Sequence, residues 1–196
     1  MSSVALTGWI GARRQQLQLL WGIAGGLPSG PTHQASEEVV LAMLVLKLAA
    51  EFQGFARDLH DEAVDYFAVH VANGKAAVET ILRERMTSER NLDKKNAQAD
   101  SLLNDFGRLG LTLWSALERA DRQAQSWRTE LTKFNQMRNA LAHDDQARVH
   151  LLRQQGYRLD HSTVQTWERT LDSLAQTMDD VVGDYLSALL GVGRPW

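Results

Sequence analysis

Apolar residues recur along the chain at spacings of three and four, and no stretch alternates apolar and polar residues as a half-buried strand would. The pattern predicts an all-α fold. Its clearest instance is Val164, Trp167, Leu171, Leu174, Met178, Val181 and Tyr185, an amphipathic stripe that predicts a long last helix from near Ser162 to a stop at Gly191. An earlier long helix is predicted from Glu37 to about Asn73, with Ser36 as N-cap, Glu37 and Glu38 in the first turn, and Asn73-Gly74 at its left-handed end. At about 1.5 Å per residue such a helix exceeds ~50 Å, so a bend or break is expected, with Gly54 as the candidate hinge. Val39 to Ala50 is apolar nearly all round, which fits a central helix covered on several sides.

Shorter helices are predicted over residues 4 to 22, 75 to 87, from about Ala97 through Leu117 with loosening at Gly107 and Gly110, and over 122 to 142. The last of these places Trp127, Leu131, Phe134 and Leu141 on one stripe. Gly25 to Pro31 and the region around Gly156 read as loops, and residues 88 to 99 are too polar to assign. With no repeat and no linker, the 196 residues are expected to form one helical domain, residues 1–196, a bundle of about five to seven helices.

Composition narrows the chemistry. A chain 44% hydrophobic and 23% charged folds around a core and is not of the disordered class. The absence of cysteine excludes disulfides, thiolate metal sites and a cysteine nucleophile, and favours a cytoplasmic protein. The apolar pattern of the first 21 residues is broken by Arg13, Arg14, Gln15 and Gln16, and no uninterrupted apolar run of membrane-spanning length is evident, so no membrane partner is expected. A net charge of −3 argues against a whole-surface polyanion binder. The cluster Arg83, Arg85, Arg90, Lys94 and Lys95 is interleaved with Glu84, Glu89 and Asp93 and reads as a solvated surface. His33, His60, His70, His150 and His161 lack ligand spacing, so neither metal nor cofactor is expected. Trp127 and Trp167 fall on core stripes, while Trp9, Trp21 and Trp196 fit either a core or a dimer contact.

One run carries candidate chemistry: Arg138-Asn139-Ala140-Leu141-Ala142-His143, at the end of a predicted helix. Projected at about 100° per residue, Arg138 falls on the apolar stripe with Trp127, Leu131 and Phe134, where a guanidinium must find a carboxylate or face a site that wants positive charge. Glu51, on the apolar side of its own helix, is the expected partner, with Glu62 in reserve. Asn139 lies one turn before His143 and is expected to orient its ring. Arg138 and His143 project to different faces, so they share a substrate only if the helix stops near Ala142 or two chains complete one site. Asp144 and Asp145 follow directly and could tune the histidine or bind a base.

An arginine, a polar residue, three more residues and a histidine at a helix end resemble the Arg-x4-6-His signature of the HEPN superfamily. The stretch Leu46 to Leu59 resembles the acidic and aromatic second helix of the group related to RiboL-PSP-HEPN proteins, and the resemblance covers roughly residues 37 to 190. It implies a homodimeric, metal-independent endoribonuclease, the toxin or effector of a toxin–antitoxin or antiphage defence system, with RNA as substrate and a cognate antitoxin or inhibitor as partner. It further implies His143 as general acid or base, Arg138 as the stabiliser of phosphorane charge, and Asn139 as a group that orients His143 or bonds a phosphate oxygen; Glu51 and Asp144, from their positions, are the supporting candidates. The alternative is a non-catalytic module of the same type that binds a protein or a nucleotide.

Overall fold

A computed structural model describes residues 1–196 and contains nine helices and no strand. The first, α1, joins Val4–Gly8, Trp9–Arg13 and Arg14–Gly25 without interruption, and its middle five residues form a π-turn. Its free N-terminal amides are met from three directions. Ser3 Oγ accepts from Leu6 N, Glu62 accepts from Val4 N and Ala5 N at 3.0 and 2.6 Å, and Asp179 accepts from Ser3 N at 3.3 Å.

Helix α2, His33–Ala72, runs 40 residues unbroken through the middle of the bundle and touches most of the other helices. It begins before the expected Ser36 cap, with Thr32 in that place, and ends as expected with Asn73 left-handed at φ 47°. The helix does not break at Gly54. That glycine is buried, and the guanidinium of Arg13 occupies the space where a Cβ would project, so the missing side chain serves close approach. An 18-residue window of α2 has a mean hydropathy of 1.7, apolar enough by length and composition to cross a membrane, and 61% of that window is buried inside the bundle.

Helix α3, Ala76–Thr87, lies against α2 and buries no residue of its own. The unassigned polar stretch contains a single turn, α4, Asn91–Lys94, whose Asn91 and Leu92 amides donate to the buried Asp105 carboxylate at 2.9 and 2.7 Å. The expected helix through Ala97 to Leu117 is two, α5 Ala99–Gly107 and α6 Leu113–Ala120, parted where Gly110 takes φ 85°. Helix α7, Ala124–Ala142, matches its expected span closely. It leads into α8, Gln146–Gln154, which buries only Val149 and Leu152 and so shows too few apolar positions to be seen as periodic. Asp145 caps α8 by accepting from Arg148 N. Helix α9, His161–Leu190, is capped by Asp160 and ended by Gly191 at φ 66°.

One continuous core of 41 buried residues joins α1, α2 and α4 to α9. Trp9 belongs to it, edge-on to Phe52 at 5.8 Å, and is therefore not a dimer contact. Trp21 and Trp196 are half-buried and partnered within the chain, their indole N–H groups donating to Glu168 and to Asp179 O.

Candidate functional site

Arg128, Thr132, Asn135, Gln136 and Asn139 recur at spacings of three and four along one face of α7. With Gln98, Ala99 and Asp100 at the start of α5 they line a cleft of about 220 Å³. Polar side chains dominate its walls, and Ala99 is its one apolar lining residue.

Arg138 and Asn139 are tied together at the end of this face. Asn139 Oδ1 accepts from Arg138 Nη1 at 3.2 Å and from Asn96 Nδ2 at 2.7 Å. Arg138 is half-buried and has no carboxylate partner, which leaves most of its five N–H donors free. The helix ends at Ala142, so the first of the two conditions on a shared substrate is met. His143 leaves helical geometry with φ −109° and ψ 8° and is exposed. The expected bond between the Asn139 side chain and the His143 ring is absent: the Asn139 carbonyl accepts from Arg138 and Asn96, and neither end of the amide reaches the ring. Asp144 sits at φ 52° and accepts from Gln146 Nε2 at 2.7 Å, and no bond joins it to His143.

Glu51 does not meet Arg138. Its carboxylate, 8% exposed, takes Arg13 Nη1 at 2.8 Å and Lys47 Nζ at 2.5 Å. Burial pushes the Glu51 carboxyl up, but hydrogen bonds and charge from Lys47 and Arg13 outweigh it and hold the group below the usual carboxylate value. The apolar-side projection identified Glu51 as a shielded charge but missed its partner. Arg13 comes from the π-turn of α1, on an element where it stood out only as a break in an apolar pattern. Glu62, the reserve candidate, is occupied by the first amides of α1.

Sequence reading also missed a buried polar network. His60 is fully buried, with Nε2 3.0 Å from Asp105 O and Nδ1 3.2 Å from Arg90 Nη1. Arginine can only donate, so Nδ1 accepts and the proton sits on Nε2. Burial, reinforced by the Arg90 charge, lowers the His60 pKa. Arg90 in turn binds Asp61 at 2.5 Å and Asp93 at 2.9 Å. No buried side-chain polar atom in the chain lacks a partner, so this network is closed and structural. It absorbs Arg90 from the interleaved cluster, and Arg83 pairs with Asp65 and Glu79.

Charge is distributed unevenly. Residues 119–158, which contain α7 and α8, carry eight Lys and Arg against four Asp and Glu, a net +4; the remainder carries thirteen against twenty, a net −7. Of those eight cations only Arg153 forms an ion pair, to Glu38 at 3.1 Å. In the remainder, eight of thirteen are paired. The cations of the α7–α8 hairpin are thus uncompensated as well as numerous. No three His, Asp or Glu side chains gather where they could hold a metal ion.

Fold and site together define an all-α bundle whose α7–α8 hairpin is locally basic and bears a polar cleft and the Arg138 to His143 run. Comparisons with protein-family models, with curated proteins and with solved structures returned no match.

Proposed function

We propose that the chain is a homodimeric endoribonuclease of the HEPN type that needs no metal, acting in the cytoplasm as the toxin or effector of a defence or toxin–antitoxin system and held in check by an inhibitor protein. The observation that carries this reading is the half-buried Arg138 guanidinium, free of any carboxylate, five residues before an exposed histidine on the one hairpin with a surplus of unpaired cations. Such a guanidinium suits a phosphate group, which it can grip with parallel N–H bonds.

In the proposed reaction a ribose 2′-oxygen attacks the adjacent phosphorus, and an imidazole takes its proton. Arg138 faces the charge that builds on the phosphorane oxygens. The P–O5′ bond breaks, the departing oxygen is protonated by an imidazolium, and the products are a 2′,3′-cyclic phosphate and a free 5′-hydroxyl. His143 and His143 of the partner subunit supply the two proton transfers. Asn139, bonded to Arg138, is a positioning residue for the guanidinium in this scheme. Asp144 and Glu51 have no chemical role in it.

The test is cleavage of total RNA by the wild type, Arg138→Ala and His143→Ala in the presence of a chelator, with the 3′ ends analysed. Losing an acid–base group costs about 100-fold or more in rate. Adding excess His143→Ala to the wild type lowers cleavage by more than dilution does if one site draws on His143 of both copies. A folded wild-type dimer that leaves RNA intact, or a His143→Ala variant that cleaves as well, overturns the proposal. A non-catalytic interaction module is the second reading, and the exposed apolar side chains Leu19 and Ile23 on α1 and Val39 and Met43 on α2 favour it. Under that reading RNA stays intact throughout.

A further inference from the structure

We infer that the cleft between α7 and the start of α5 is a subsite for one unpaired nucleobase of an RNA strand. The inference rests on the RNA reading above, but its own support is the chemistry of the cleft wall. Asn135 donates both amide hydrogens, to Ala97 O at 3.2 Å and Leu131 O at 3.0 Å. Both partners are carbonyls that only accept, so the nitrogen is assigned by chemistry and Oδ1 is the remaining group. That oxygen has no partner in the chain, and no buried side-chain polar atom in the chain is unpartnered, so it is open to solvent on the cleft it lines.

Asn139 is fixed in the opposite sense. Its Oδ1 accepts from Arg138, which can only donate, so its Nδ2 amide is the group left free. One turn of α7 therefore offers a pinned acceptor from Asn135 and a pinned donor from Asn139. The amides of Gln98 and Gln136, with no hydrogen bonds of their own, complete the wall. Adjacent donors and acceptors are what the pairing edge of a base displays, and only an unpaired base exposes that edge.

Charge excludes a phosphate as the occupant. Arg128 is the one cation in the lining and Asp100 opposes it, so the cleft is neutral overall. Phosphate recognition falls instead to Arg138 and the surrounding unpaired cations. Arg128, held over the Trp114 ring at 5.5 Å, presents a flat guanidinium beside the amides, a surface on which a base can stack. A side-chain amide that bonds two atoms of a base edge discriminates among bases by about fivefold or more.

The measurement is fluorescence anisotropy with labelled single-stranded pentamers UUXUU, where X is A, C, G or U, binding to full-length His143→Ala protein so that the probe is not cut. Affinity for one X is expected to exceed that for the weakest by at least about fivefold. Asn139→Ala, which removes the pinned donor, combined with Gln98→Ala and Gln136→Ala is expected to erase the difference. Gln125→Ala, on α7 outside the cleft, leaves it. Helical content by circular dichroism verifies the fold, and Asn139→Ala alone, at a half-buried position, serves if the combined variant unfolds. Equal binding of all four probes, a preference that survives the folded variant, or no binding overturns the subsite. Selective binding without cleavage by the wild type upholds it and sinks the nuclease; unselective binding with cleavage does the reverse.

Discussion

Replacing Gly54 with alanine decides whether this position is a hinge or a seat for Arg13. An added Cβ would lie 2.8 Å from Arg13 Cζ and 2.9 Å from Nη2, so the guanidinium has to move away. Helix propensity alone favours alanine by about 1 kcal/mol in the interior of a helix such as α2. Against this stands the loss of the Arg13 bond to Glu51, whose carboxylate is 8% exposed, and of the bond to Asp58, which is 43% exposed. A charged hydrogen bond at a shielded site contributes about 1.5–3 kcal/mol, and an exposed pair less than about 1 kcal/mol. Glu51 keeps Lys47, which limits the damage. The losses outweigh the gain, and Gly54→Ala is expected to destabilise the fold by about 1–2 kcal/mol, lowering Tm by about 2–8 °C at this chain length. Urea unfolding followed by far-ultraviolet circular dichroism measures it. In an Arg13→Met background the obstacle is gone, and there the same substitution is expected to raise stability by up to ~1 kcal/mol. The change of sign between backgrounds is a coupling that a hinge cannot produce. If Gly54→Ala alone is as stable as the wild type, close approach is not what the glycine is for.

Buried carboxyls and the buried imidazole give further tests. Burial above all pushes the Asp179 carboxyl up, as it does Glu62, so each contributes stability that is present below the unfolded carboxyl value near 4 and lost as pH rises through the folded one. Urea titrations between pH 4 and 7 should therefore show wild type losing stability relative to Asp179→Asn as pH climbs; a constant difference refutes the assignment. His60 has the opposite sign: its lowered pKa contributes stability above the unfolded value of about 6.5 that is lost as pH falls toward the folded value. A His60→Gln variant should lack that part of the acid-side decline, and a parallel curve would show that the ring does not titrate on unfolding. Asp160→Ala removes the acceptor for Thr163 N at the start of α9 and is expected to cost about 1 kcal/mol in the same assay.

How much of this was legible in the sequence depends on how much of each signal is local. The stripe from Val164 to Tyr185, the Asn73-Gly74 stop and Gly191 were readable because periodicity and left-handed caps are written within a few residues. Helix α8 was not, since two buried residues make no period, and α4 is held by Asp105 from another element. At the site, the end of α7 before His143 was anticipated, as was an arginine at 138 partly withdrawn from solvent. The pairing of Glu51 was not, because which charge answers which is decided by three-dimensional neighbours 38 residues apart and by a π-turn with no sequence mark. The α7 cleft was not legible either, because its other wall comes from the start of α5, a separate element.

The way α1 is fastened bears on how the chain is made. Trp9 Nε1 donates to Asp172 at 3.0 Å, Arg14 pairs with the same carboxylate, Trp21 donates to Glu168, and Ser3 N donates to Asp179, so the first helix is bolted along its whole length to the last. A ribosome delivers these partners in the order least convenient for folding. While α2 to α8 emerge, α1 has only α2 to lie against, and the apolar flank of α2 that α9 covers stays open until synthesis reaches it. Contacts separated by up to 176 residues close last and at the largest loop-entropy cost. Docking of α9 therefore completes both ends of the molecule in one event, and a chain released before that event exposes its central helix to whatever else is nearby.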